Sequence, residues 1–213
     1  MIAFANLLAF VGLIASLLVL WRQSRPARVR LFVMQSALLA ALAVTIAMYS
    51  RHWGLLVVAA AFIVLKVCVI PRALKRIAVG VPARPVTPGR SVGLSLLAGA
   101  VLVVVSYVIM LPVMIATDLP TSGAIPLAFA AALTGLFVCV TGRDAFAQIL
   151  GFLVFENGIF GLALLGAYGL PILVEAGVFL DVLVVVLLME GVVVHLRREH
   201  ASIDVEHLRE LRG

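Results

Sequence analysis

Continuous apolar runs of membrane-spanning length dominate this sequence. Seven windows, at residues 3–21, 31–49, 54–70, 91–111, 122–140, 147–168 and 172–196, are separated by basic residues or by the breakers Pro71, Pro112 and Pro120. A run this long means membrane helix, because lipid offers backbone N–H and C=O groups no partner outside the segment itself. A hydrocarbon core of ~30 Å takes ~20 helical residues per crossing, so the chain has little left for an extramembrane domain. The expected fold is an all-α, seven-span membrane protein. Its composition agrees, with 64% hydrophobic and 12% charged residues, against about 45–50% and 25% in a soluble domain. This balance excludes a soluble globular enzyme, a disordered chain and a disulfide scaffold.

The net charge of +6 would suggest nucleic acid in a soluble chain. Here the basic residues stand in short groups between apolar runs, without interleaved aromatics, so topology explains them and no nucleic-acid partner is expected. Arg22, Arg25, Arg28 and Arg30 fill the first link. Arg72, Lys75, Arg76, Arg84 and Arg90 follow the third span, Arg143 the fifth, and Arg197, Arg198, Arg209 and Arg212 the seventh. Fourteen of the sixteen basic residues thus fall on one side; Arg51 lies opposite and Lys66 within a span. Seven spans with the N-terminus outside and the C-terminus cytoplasmic satisfy the positive-inside rule, in a bacterial or archaeal cell membrane. The first apolar run has no basic residues ahead of it and no AxA-like cleavage site after it, and reads as a retained helix.

Spans one to three and five to seven read as two copies of a three-helix unit. Gln35, within Leu31-Phe32-Val33-Met34-Gln35-Ser36-Ala37, pairs with Glu156, within Phe152-Leu153-Val154-Phe155-Glu156-Asn157-Gly158. One span later Lys66 pairs with Asp181. Span four joins the copies, which gives them the same orientation, a parallel repeat. The expected organisation is residues 1–90 for the first unit with its basic linker, 91–121 for the connecting span, and 122–213 for the second unit and tail.

Glu156 falls near the midplane of span six, Asp181 about nine residues into span seven, and Lys66 in the middle or cytoplasmic half of span three. An ionised group at that depth costs ~2.5–3.5 kcal/mol on insertion scales, and such groups usually pair, share protons or face a hydrated path. Two acids and a base at mid-depth supply the parts of a proton relay. The plainer reading is a buried ion pair, Lys66 with Asp181 or Glu156, that locks helices together. Gln35, Ser36 and Asn157 would continue a hydrogen-bonded path or serve as interhelical glue. Glu190 lies on the face of its helix opposite Asp181 and is a candidate toward the cytoplasmic surface or a partner subunit. Glu175, in the first turn of span seven, suits the helix dipole. Cys68 and Cys139 read as small buried hydrophobes, and His195, His200 and His207 as part of a solvated tail. There is no phosphate loop and no metal, haem or iron–sulfur spacing, so neither a cofactor nor redox chemistry is expected.

The run from Arg143-Asp144-Ala145-Phe146 through Gln148 and Gly151 to Phe155-Glu156-Asn157-Gly158 resembles the hydrogenase-4 component E family. Leu173-Val174-Glu175-Ala176-Gly177 through Asp181, and the tail Ser202-Ile203-Asp204-Val205, fit the same family. The last three spans are also similar to subunit K of NADH–quinone oxidoreductase and to the small subunit of multi-subunit cation/proton antiporters. The resemblance covers essentially the whole chain. It implies a non-catalytic subunit in the membrane arm of a complex I-like oxidoreductase, beside antiporter-like subunits and a peripheral hydrogenase or related redox arm. It also implies that Glu156 matches a membrane glutamate of subunit K. Asp181 falls a residue or two from that subunit's second glutamate, and Gln35 and Lys66 depart from an acidic pattern in the first unit. The alternatives are a subunit of an antiporter-type transporter, or a structural anchor for larger subunits. Spans two, three and six lack the central Pro or Gly-x-Gly interruption expected of an alternating-access transporter.

Overall fold

A computed structural model describes residues 2–22, 24–51, 53–80, 92–117 and 119–167, and its regular structure there is entirely helical. Its helices are α1 (Ile2–Trp21), α2 (Arg25–Ser50), α3 (Gly54–Phe62), α4 (Ile70–Gly80), α5 (Val92–Ala116), α6 (Ile125–Thr141) and α7 (Ala145–Ala167). A π-helical segment, Ile63–Val69, fuses α3 to α4, and a 3₁₀ turn, Ser122–Ala124, opens α6. Six of the resulting segments are long and apolar enough to cross a membrane. The expected seventh span, 172–196, lies outside the described residues.

Several expected boundaries move. The third span does not stop at Pro71, because the helix continues to Gly80. Proline ordinarily breaks a helix by removing one N–H and crowding the carbonyl four residues back. Here the π register just upstream reassigns those carbonyls: the Ile70 N–H donates to Leu65 O, five residues back. The Arg72 guanidinium donates to Cys68 O at 2.7 Å. Similarly, α5 passes through Pro112 to Ala116. One missing N–H is tolerable in a membrane helix, and Thr117 N still donates to Val113 O beyond it. At the basic end α2 starts at Arg25, six residues before its apolar run, with Pro26 in its first turn. Asp144 starts α7 at Ala145 rather than 147, since its Oδ1 accepts from Ala147 N at 2.7 Å. At the other end of α2, Arg51 takes φ 57°, the left-handed turn that ends the helix.

The interior has three layers. Val19, Val29, Phe32, Ile70, Leu74, Phe146 and Leu150 belong to one apolar slab, at the end that carries the arginine-rich α1–α2 link. Leu8, Leu13, Leu39, Phe62, Ala128, Phe160 and Leu164 belong to a second slab at the far end. From one slab to the other α1 runs in the same direction as α6, and α2 in the same direction as α7. Between the slabs lie the buried polar residues Ser16, Gln35, Ser36, Lys66, Thr134, Glu156 and Asn157, drawn from five of the spans.

The closest packing is between α6 and α7, and glycine makes it possible. A Cβ on Gly135 would overlap the backbone of Phe155, one on Gly151 that of Cys139, and one on Gly158 that of Ala132. Backbones approach this closely only where side chains are absent, the small-residue packing usual between membrane helices. This seam fixes the height and rotation of α7, and with them Glu156 and Asn157. In contrast α5 is peripheral, with only 11% of its span buried, although Ser106 Oγ donates to Pro126 O across the α5–α6 boundary.

Candidate functional site

The site is built from the mid-depth polar residue of each inner helix. Glu156 is the twelfth of the 23 residues of α7, and Gln35 the eleventh of the 26 of α2. Lys66 is the central residue of the seven-residue π segment. Such segments are rare, and they concentrate where a helix must re-aim a side chain.

Lys66 is completely buried and Glu156 only 5% exposed. Their charged atoms, Nζ and Oε2, lie 3.5 Å apart. Lys66 Nζ donates to Asn157 Oδ1 at 2.9 Å. The ammonium also sits 5.1 Å from the ring centre of Phe62 and 5.5 Å from that of Phe160. Those rings meet edge to face with centroids 4.4 Å apart, forming an aromatic wall on the far-end side of the ammonium. A lysine so placed has three kinds of partner: an anion, an amide oxygen and two π faces. Together they offset part of the cost of burying the charge.

Asn157 is the hub. Its Nδ2 donates to Ser36 Oγ at 2.9 Å and to Gln35 Oε1 at 3.3 Å, while its Oδ1 accepts from Lys66. Gln35 Nε2 then donates to Ser16 Oγ at 2.8 Å, and Ser16 Oγ to Gly12 O at 3.0 Å. The amide orientations are mutually consistent, since each donor faces an acceptor along the whole row. An unbroken polar row therefore runs from Glu156 through Lys66, Asn157 and Gln35 to Ser16 and the backbone of α1. In apolar surroundings such a network is strong when satisfied and costly when broken.

Of the residues singled out from sequence, the structure brings together Lys66, Glu156, Asn157 and Gln35, with Ser36 beside them. Asp181 and Glu190 lie outside the described residues. Sequence reasoning missed Ser16, which was legible as the one hydroxyl deep in the first span. It also missed the aromatic pair around Lys66, for which the sequence carried no signal. Asp144 was read only as part of a resemblance. In the structure it caps α7 and pairs with Arg25, whose Nη2 lies 3.0 Å from its Oδ2, while Arg25 stacks over Phe146 at 5.5 Å. No cluster of His, Cys, Asp and Glu suited to a metal ion occurs among the described residues.

No family model matches the chain, and no solved structure matches it. It is 38% identical over 202 residues to an uncharacterized protein of Mycobacterium tuberculosis, spanning 93% of the chain and 91% of the relative. It is also 26% identical over 212 residues to hydrogenase-4 component E of Escherichia coli K12, spanning 98% of the chain and 97% of the relative. The component E of Shigella flexneri matches to the same extent.

Proposed function

The chain belongs to the family of hydrogenase-4 component E and of the mycobacterial protein, and on that premise we propose that it is a non-catalytic membrane subunit of a complex I-like oxidoreductase. In this reading the mid-depth polar row forms part of a proton path, driven by electron transfer in partner subunits. The partners are antiporter-like membrane subunits and a peripheral hydrogenase or related redox arm. One observation carries the reading: a fully buried lysine sits at ion-pair distance from a buried glutamate, inside a polar layer that runs between two apolar slabs.

Lys66 and Glu156 exchange charge in this mechanism. A change in charge or hydration at the neighbouring subunits separates the pair and ends the electrostatic support each charge gives the other. The lysine releases a proton and the carboxylate takes one up; re-pairing reverses both. Asp181 and Glu190 join the path on the strength of the sequence alone. The proposed topology keeps the N-terminus outside and the basic end cytoplasmic, with a parallel repeat relating spans one to three to spans five to seven. The shared directions of α1 with α6 and of α2 with α7 support that arrangement.

The competing reading is a structural lock, favoured by the three interhelical hydrogen bonds of Asn157. Glu156→Gln separates the two. It keeps the shape and a polar side chain but removes the titratable group. The expected outcome is loss of proton translocation in membrane vesicles while electron transfer to artificial acceptors persists. Unchanged translocation overturns the path. Purification in mild detergent, with partners identified by mass spectrometry and nickel and iron assayed, tests the assignment to a hydrogenase-type complex.

A further inference from the structure

Gly12 breaks the pattern set by the glycines of α6 and α7. On α1 the buried residues Ala5, Leu8, Ala15, Ser16 and Val19 form one core-facing stripe, and helical spacing puts Gly12 on it. A Cβ at a core-facing position should meet neighbours at once, yet one built on Gly12 meets nothing within 4 Å. The missing side chain leaves a hole. A cavity of about 30 Å³ lies there between α1, α2, α6 and α7, bordered by Gly12, Gln35 and Asn157 and on its remaining sides by residues such as Leu13, Leu39 and Leu165. A volume of roughly 10–15 Å³ by this measure admits one water, so the space suffices for one or two.

The pocket is only partly enclosed, and a pocket at this depth holds an ordered water only where it offers two to four polar partners; a wholly apolar one stays dry. This cavity has a polar floor. Gln35 Nε2 carries two hydrogens and donates one to Ser16. Gln35 Oε1 and Asn157 Oδ1 each accept one bond among the described residues and have a second lone pair. The Gly12 carbonyl adds no further partner, because it already accepts from the Ser16 backbone N–H within α1 and from Ser16 Oγ. A water on the second lone pair of Asn157 Oδ1 would share that oxygen with Lys66 Nζ. The leucines beyond belong to the far-end slab.

We propose that the void opposite Gly12 is a water site, which extends the polar row from Lys66 and Asn157 toward the far end of the bundle and is the point where protons leave the row in that direction. The leucines around it form a dry collar that closes the site to the far face when the path is at rest. The inference rests on the proton-path reading of the row, but the water site is testable by itself.

The experiment combines radiolytic hydroxyl labelling of the complex in its native membrane with a cavity-filling variant, Gly12→Leu. In the wild type, Leu13 and Leu39 should label above Leu20 of the basic-end slab, which is at least as exposed as either, because only the former adjoin bound water. Gly12→Leu, whose Cβ meets nothing within 4 Å and whose remaining atoms fill the void, should abolish that labelling and abolish proton translocation. Labelling of Leu13 and Leu39 no higher than that of Leu20, or wild-type translocation by Gly12→Leu, overturns the proposal. If Gly12→Leu does not accumulate, the wild-type labelling decides alone. If Glu156→Gln is inactive and Gly12→Leu is not, the row carries protons and the outlet is wrong. If both translocate normally, the path reading itself fails, and labelling still judges the water.

Discussion

Asn157 illustrates how one side chain can set the chemistry of a membrane interior. Its amide uses both hydrogens and one lone pair on three side chains of two other helical segments. Hydrogen bonds between membrane helices are worth roughly 0.6–2 kcal/mol each. Replacing Asn157 by Leu removes three at once and leaves Lys66, Ser36 and Gln35 facing hydrocarbon. The expected loss of stability is about 2–5 kcal/mol, read as a lower melting temperature of the detergent-solubilised protein. Ser36→Ala, which removes one bond, should cost less than half as much. The residues of this layer were largely legible in the sequence, because an isolated polar or charged residue deep in an apolar run is expensive and so stands out. Their pairing was not legible. Whether Lys66 met Glu156 or Asp181 depended on helix rotation, which apolar periodicity leaves open when a span is apolar all round.

The helices themselves show where a hydropathy reading ends. Spans were legible because their length is dictated by the bilayer, whereas helix ends were not, because a helix can continue past the apolar run into a basic link. Pro71 and Pro112 misled for a related reason: their cost is local, and a changed backbone register or a membrane setting absorbs it. The π segment around Lys66 gave no signal at all, since register is decided by tertiary packing. The glycines show the same dependence on context. Gly158→Ala forces a methyl into the backbone of Ala132. It should destabilise the protein by about 1–3 kcal/mol or more, as overpacking does. Gly12→Ala, with nothing to strike, should be neutral or slightly stabilising, because alanine is favoured over glycine in helices by up to ~1 kcal/mol. Thermal denaturation of the two variants side by side checks the contrast.

For the whole molecule, the end bearing the arginine-rich link is proposed to face the cytoplasm. Single cysteines introduced as Arg143→Cys and Arg51→Cys, in a background lacking Cys68 and Cys139, should react with a membrane-impermeant maleimide from opposite sides. Arg143→Cys should label from the cytoplasm and Arg51→Cys from outside. Labelling of both from one side would reject the six-crossing order of the described residues.

The sandwiching of the polar layer between two apolar slabs also bears on how the family can diverge. Sliding any inner helix by one turn, ~5.4 Å, would push its polar residue among leucines and pull a leucine among amides. The layer therefore indexes the helices against one another, and a change in one member strands a partner on another helix. Substitutions at Ser36, Gln35, Lys66 and Asn157 should accordingly arise in compensated sets across the family, so that these positions covary between relatives while the surrounding leucines, isoleucines and valines drift independently.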